Sequence, residues 1–245
     1  MNLTKDRLIK ELVKELSEHN LAVFAGAGLS APAGFVNWRE LLSEIAEDLE
    51  LDINKETDLI SLAQYYVNRN ANNRSKIDEL ILGQLSDGEP TENHKILARL
   101  PIHTFWTTNY DKLIEKSLER AGKIVDVKHD TKQLSQTKYG RDVVVYKMHG
   151  DVDHPADTVI IKDDYERYLM QRGDFFTLLR GELLNKRFLF LGFSFSDPNI
   201  DYILSRVRAS HSQNQKTHYC ILRKVQKEEN EPQPDFEYRQ RKQQL

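Results

Sequence analysis

LAVFAGAGLSAPAG, residues 21–34, opens as five apolar residues and then drops into small ones that bury almost nothing. An uninterrupted apolar run followed by Gly26, Gly28, Ala31 and Gly34 reads as a strand covered on both faces that ends in a tight turn. The spacing Gly26-x-Gly28-x-x-Ala31 fits the G-x-G-x-x-G/A pattern, in which glycines permit the turn and let backbone N–H groups approach a diphosphate closely. The same glycines would equally serve a loop that needs positive φ or close packing and nothing more. An ordinary dinucleotide dehydrogenase carries an acid about 20 residues later, at the end of a second strand. Here the chain turns helical instead, so a different nucleotide geometry is expected.

On the N-terminal side of that strand, Leu8, Ile9, Leu12, Val13 and Leu16 recur at helical spacing, and Trp38, Leu41, Leu42, Ile45 and Leu49 do so after it. Further helical periods over 59–67, 77–82 and 96–100 make the stretch 38–100 helical throughout. A parallel crossover needs only about a dozen residues beyond its turns, so the excess predicts a helical subdomain lying over the sheet edge. From there the pattern alternates. Strand IHTFWTT (102–108) leads to a helix over 110–121 stopped at Gly122, then to strands KIVDV (123–127), DVVVYKM (142–148) and TVIIK (158–162). A helix over 175–184, strand RFLFLGF (187–193), a helix opened by Asp197 with Pro198 in its first position, and strand HYCIL (218–222) complete the series. The fold class is therefore α/β: a mostly parallel Rossmann-like sheet with helices on both faces and a helical insertion subdomain. The predicted organisation is one domain over 1–222, with the insertion at about 38–100, followed by a charged tail or linker over 223–245 rich in Gln and Pro.

The formal charge of the 245 residues is −3, which supplies no field to draw the chain onto nucleic acid or an anionic membrane. A single cysteine, Cys220, can form neither an internal disulfide nor a thiolate zinc site. The N-terminal MNLTKDRLIKELVKEL carries acids and lacks an apolar signal core, and no run approaches the roughly 20 apolar residues of a membrane span. A soluble, cytoplasmic protein is expected.

Each strong strand ends in a polar or glycine-rich cluster: Gly26 to Gly34, Thr107 to Asp111, His149-Gly150-Asp151, and Gly192 to Asp197. Ligands of open parallel sheets bind outside the carboxyl ends of the strands, so parallel neighbours would gather these clusters at one edge. Taken singly, Asn109 and Asp111 read as helix caps, His149 as a core histidine bonded to a carbonyl, and Asp197 as the cap before Pro198. Taken together they read as a site, in which His149 is suited to accept a proton near neutral pH and Ser194 and Asp197 to bond sugar hydroxyls. HGDVDH (149–154) holds four potential metal ligands, but no second cluster of comparable spacing accompanies it. Acids in a turn are the plainer reading.

GAGLSAPAGFVNWREL, TTNYD, YKMHGD and LGFSFSDPN, in that order, resemble the sirtuin family over residues 21 to about 205, most closely its bacterial branch of sirtuin-like NAD-consuming domains. The resemblance implies NAD contacts from Ala25, Gly26, Ala27, Gly28 and Ser30. Where deacylating sirtuins read G-I-P-D-F-R, this chain reads Gly34 to Arg39, which implies nicotinamide-side contacts from Asn37, Trp38 and Arg39 with Asn37 in place of the acid. The family's T-Q-N-I-D carries the catalytic asparagine onto Asn109 and an accessory acid onto Asp111, with Thr108 replacing the glutamine. The catalytic histidine falls on His149, and the ribose loop on Gly192, Phe193 and Ser194. Deacylating members hold a structural zinc with four cysteines. This chain cannot, so no zinc is expected, and the helical insertion stands where the zinc module would be.

Without that module or an identifiable acyl-lysine channel, water becomes the expected acceptor. The resemblance thus implies an NAD hydrolase that releases nicotinamide and ADP-ribose, acting in bacterial antiphage defence by depleting NAD (abortive infection). It implies a homo-oligomer and a defence partner such as an Argonaute-type protein or a DNA-translocating ATPase, with no direct contact to nucleic acid or membrane. The alternative readings are a non-catalytic module that senses NAD or ADP-ribose and, third, an NAD-dependent protein deacylase.

Overall fold

A computed structural model describes residues 4–195, 197–210, 216–222, 224–227 and 231–244. Helix α1 (Lys5–Ser17) leads into strand β1 (Leu21–Ala25), whose five residues are all buried. A short helix α2 (Ala27–Ser30) follows directly, and then the helical insertion: α3 (Trp38–Leu41), α4 (Ser43–Asp48), α5 (Leu59–Arg69), α6 (Ser75–Leu85) and α7 (Glu92–Arg99). The alternating half runs β2 (Thr104–Thr107), α8 (Leu113–Arg120), β3 (Val125–Lys128), α9 (Thr131–Leu134), β4 (Val143–Lys147), α10 (Lys162–Glu166), α11 (Tyr168–Asn185), β5 (Arg187–Leu191), α12 (Pro198–Ser210), β6 (Tyr219–Ile221) and α13 (Gln233–Gln244).

Among the described residues six strands form one sheet in the order β3-β4-β2-β1-β5-β6, and every pairing is parallel. Chain direction across the sheet reverses at β1, which has β2 on one side and β5 on the other. In parallel sheets such a switch point opens a crevice at the carboxyl ends of the strands. Register makes that edge sharp: Ala25 lies opposite both Thr107 and Leu191, and Thr107 lies opposite Lys147. The four segments that leave β1, β2, β4 and β5 therefore start at one level.

Side chains alternate between two cores, as the two-residue period of a strand requires. Phe24, Trp106, Phe188 and Phe190 pack with α11 and α12 on one face, whereas Val23, Phe105, Val145 and Leu189 pack with α1, α7 and α8 on the other. A third cluster sits inside the insertion, where Leu42, Ile45, Leu62, Ile77 and Ile81 meet Tyr110 and Leu113. Burying each such side chain contributes roughly 1.5–3 kcal/mol. The insertion is thus a small core of its own that also covers the residues following β2.

Several expectations are corrected in detail. TVIIK is not a strand: Val159 and Ile160 are buried, but β4 is already flanked by β2 and β3 and offers no edge to pair with. The helix expected from Trp38 to Leu49 breaks into α3 and α4 at Leu42. The helix expected from Tyr110 starts at Leu113, whose N–H donates to Asp111 Oδ1 at 3.0 Å, while the Tyr110 hydroxyl donates to Val159 O at 2.7 Å. Of the apolar face expected on α1, Leu8, Leu12 and Leu16 pack on the core while Ile9 and Val13 are exposed. The charged C-terminal segment carries helix α13.

Candidate active site

The small residues after β1 make room for the loop after β5. A side chain on Gly26 would place its Cβ 2.6 Å from Gly192 O, and one on Gly28 would come within 2.9 Å of the same oxygen. Gly192 itself has φ +62° and leaves no space, since a Cβ there would lie 2.2 Å from Leu29 N. The Gly26 N–H donates to Leu191 O and the Gly28 N–H to Gly192 O, both at 2.9 Å. Close packing between two strand ends is therefore the immediate reason for these glycines, and it brings the β1 and β5 loops together as two sides of one wall.

That wall lines a cavity of about 750 Å³ at the carboxyl edge, within the range of small-molecule sites. Asn109, after β2, and His149, after β4, line the same cavity. Asn109 is nearly buried; its N–H donates to Thr107 Oγ1 at 2.9 Å and its Nδ2 to Ser30 Oγ at 3.0 Å. With the amide nitrogen so engaged, Oδ1 is the atom left to accept a bond from a hydroxyl or a water. His149 is buried edge-on between the rings of Tyr165 and Tyr168, with centroids 5.5 and 6.0 Å away. Burial pushes its pKa below the ordinary histidine value, against the opposing charge of Asp197, so the imidazole is neutral at neutral pH and able to take up a proton.

Beneath Asn109 lies a buried charge cluster. Lys147, the last residue of β4, is fully enclosed and donates to Tyr110 O at 2.9 Å and Asp111 O at 2.6 Å. Its ammonium also pairs with Asp151 at 2.7 Å and Glu115 at 2.9 Å. Burial alone would raise the Asp151 carboxyl, but the Lys147 ammonium holds it below its usual range, whereas burial pushes Glu115 upward. Two carbonyls of the Asn109 segment thus rest on one desolvated cation.

Of the residues singled out from the sequence, Ala27, Gly28, Ser30, Asn37, Trp38 and Thr108 line the cavity beside Asn109, Asp111 and His149, as do Gly192, Phe193 and Ser194. Ala25, Gly26 and Arg39 do not. Ala25 is enclosed in β1, Gly26 is spent on packing against Gly192, and the Arg39 guanidinium donates to the carbonyls of Ile53 and Glu56, tying down the loop before α5. Asn37 also acts locally, since its Oδ1 accepts from Arg39 N at 2.9 Å and Glu40 N at 3.1 Å and so caps α3. In the HGDVDH turn, Asp151 pairs with Lys147 and Asp153 with Lys112. Among the described residues no group of three or more His, Cys, Asp or Glu is placed to hold a metal ion.

Sequence reasoning missed the contribution of the insertion, where Thr57, Asp58, Leu59 and Ile60 line the cavity, and those of Phe35 before it and of Tyr165 on α10. Asp58 was readable as a helix cap, and it does accept from Ser61 N at 3.0 Å, but nothing in its spacing says that the loop faces the site.

The SIR2-like domain family matches residues 103–243, more than half of the chain. The chain belongs to that family. A SIR2 homologue solved as a complex with NAD shares the fold, with a TM-score of 0.50 at 14% identity over 82% of this chain and 78% of that one. The NAD(+) hydrolase ThsA of Bacillus cereus (strain MSX-D12) is 56% identical to this SIR2-like chain over 246 residues, covering 100% of it and 52% of that protein. Defense-associated sirtuin 2 of Bacillus subtilis is 26% identical over 222 residues, covering 84% of this chain and 21% of that one. The SIR2-like chain thus spans about half the length of the first relative and a smaller part of the second. Among the described residues, no helix is long and apolar enough to cross a membrane.

Proposed function

We propose that this SIR2-like chain hydrolyses the N-glycosidic bond between nicotinamide and ribose in NAD, releasing nicotinamide and ADP-ribose. The observation that carries the reading is the meeting, in one cavity, of a tethered amide, a neutral buried imidazole and the two packed loops after β1 and β5. A relative named as an NAD(+) hydrolase supports NAD as the substrate. Nicotinamide leaves neutral from a cationic pyridinium, so the transition state resembles an oxocarbenium ion and needs orientation, exclusion of water from the leaving group and one acceptor for a proton. Asn109 Oδ1 would hold a ribose hydroxyl and the attacking water. His149 would accept the proton, directly or through a ribose hydroxyl, and return it to solvent, so that NAD and water give nicotinamide, ADP-ribose and a proton. Asp111, whose carboxylate holds the start of α8, would keep the Asn109 segment extended.

Within this proposal the catalytic unit is 1–222 with its insertion at about 38–100, and 223–245 is a charged tail or linker. A relative named for defence supports a role in defence; antiphage NAD depletion, in an oligomer of this chain and with a partner that senses infection, completes the proposal. Chromatography of NAD incubated with the full-length protein, assembled and unassembled, tests the reaction. Nicotinamide and ADP-ribose appearing together, and disappearing in Asn109→Ala and His149→Ala, is the expected result. Binding of ADP-ribose with no turnover in any state of assembly would assign a sensing role instead.

A further inference from the structure

The cap of α12 stands where a base needs a carboxylate. Asp197 Oδ1 accepts from Ile200 N at 3.0 Å, and Asp197 Oδ2 stands 3.4 Å from Nε2 of His149. Among the described residues no hydrogen-bond partner meets that buried nitrogen. The other charged groups that act on the imidazole are Arg172 from α11 and Asp164 from α10, and both are committed elsewhere. Arg172 donates to the carbonyls of His129, Met148 and Asp157, and Asp164 Oδ2 accepts from Ile160 N and Ile161 N and pairs with Arg74. The Tyr165 and Tyr168 rings stand steeply to the imidazole plane, at 79° and 73°, and the Tyr168 hydroxyl donates to Met148 O. Asp197 is therefore the carboxylate that reaches the ring nitrogen, with the oxygen its cap does not use.

We propose that Asp197 is a positioning residue for His149: one oxygen caps α12 while the other receives the Nε2 proton. The pairing leaves the lone pair on Nδ1 and steadies the imidazolium that forms when a proton is taken up. A separation of 3.4 Å suits a contact that tightens as the ring charges, since catalytic hydrogen bonds are often long before substrate binds. The inference rests on the NAD hydrolysis proposed above for the proton's source, but the pairing itself can be measured without turnover.

Capping and pairing come apart in substitutions of Asp197. Asn and Ser cap helices about as well as Asp, so Asp197→Asn and Asp197→Ser keep the cap and lose the charge, whereas Asp197→Ala loses both. In the full-length protein in its active assembly, the Asn and Ser variants are expected to lower kcat about 100-fold. KM should stay within about threefold and the melting temperature close to wild type. The acidic limb of kcat/KM against pH should move to lower pH, because the carboxylate no longer favours the protonated ring. NMR titration of the His149 imidazole in Asp197→Asn should show the same downward shift without NAD. Wild-type kcat and an unmoved limb in both Asn and Ser variants, with a lowered melting temperature in Asp197→Ala alone, would reduce Asp197 to a helix cap and overturn the proposal. If the wild-type protein cleaves no NAD in any assembly, the proposed reaction falls, and the His149 titration still decides the pairing: a downward shift upholds it and an unchanged titration removes it.

Discussion

Asn109 and His149 follow neighbouring strands and line one cavity, yet the protein holds them by opposite means. The Asn109 segment hangs its backbone on the buried ammonium of Lys147, itself neutralised by Asp151 and Glu115. His149 is packed between aromatic rings with one carboxylate in reach. Under the proposed reaction the difference follows from what each side chain would do. An amide does not titrate, so its wall needs only a fixed position, which a desolvated cation with several fixed acceptors supplies. An imidazole that must carry a proton and give it up needs a tuned environment, and burial opposed chiefly by the negative charge of Asp197 tunes it.

The largest effects should come from cutting the two walls at their tips. Asn109→Ala and His149→Ala should each lower NAD cleavage about 10³-fold in a product assay. Wild-type turnover in either would remove that residue from the reaction. Lys147→Met should come next, at about 3–5 kcal/mol in urea unfolding, because it strands two buried carboxylates. Adding Glu115→Gln to it should recover part of that loss. If Lys147→Met unfolds like wild type, the contrast between a charge-anchored and a packing-anchored wall is broken. Gly192→Ala should cost about 2 kcal/mol or more, since it forces a side chain at φ +62° against Leu29 N, and it should loosen the shared wall of the β1 and β5 loops.

Acid should separate the two walls more finely. The folded His149 pKa lies below its unfolded value of about 6.5, so the unfolded chain takes up that proton first. Its contribution to stability is complete above pH ~6.5 and is lost as pH falls toward the depressed value, with a slope of at most about 1.4 kcal/mol per pH unit. His218, pushed down to about 4 by burial and by Arg187 and Lys216, has the same sign and shares the window. The Asp151 pairing holds until pH falls below the ordinary carboxylate range of about 4. Denaturant unfolding between about pH 7 and pH 3 should therefore show histidine losses first, and His149→Gln should flatten that phase while leaving the later one in place. A flattening of the later phase instead would mean that the walls are not independent. The smallest effect, about 1 kcal/mol, should come from Asn37→Ala, with Asn37→Asp retaining stability because it retains the α3 cap.

Much of this arrangement is legible in the sequence, for physical reasons that differ by element. LAVFA and RFLFL are apolar at nearly every position because a central parallel strand is covered on both faces, so they declare themselves. The polar clusters that end these strands converge because Ala25, Thr107, Lys147 and Leu191 are in register. TVIIK has the same apolar composition as a strand and is none, because composition says that a segment is buried and not whether an edge is vacant. Arg39 sits inside a recognisable motif and yet clamps a loop, because a motif places a residue near a site without saying where a long side chain reaches.

Local pattern along the chain was enough to determine the layers of the fold and the sheet edge at which the polar clusters gather, and the family resemblance singled out Asn109 and His149 there, because periodicity and strand-terminal motifs belong to short stretches. Packing alone decided that Gly26 and Gly28 are spent on Gly192, that Lys147 bears the Asn109 segment, that the insertion closes the cavity, and that the cap of α12 also faces the imidazole. Those are contacts between residues far apart in the chain. Their energies depend on which buried groups finally share one desolvated space, and that is settled only when the elements pack.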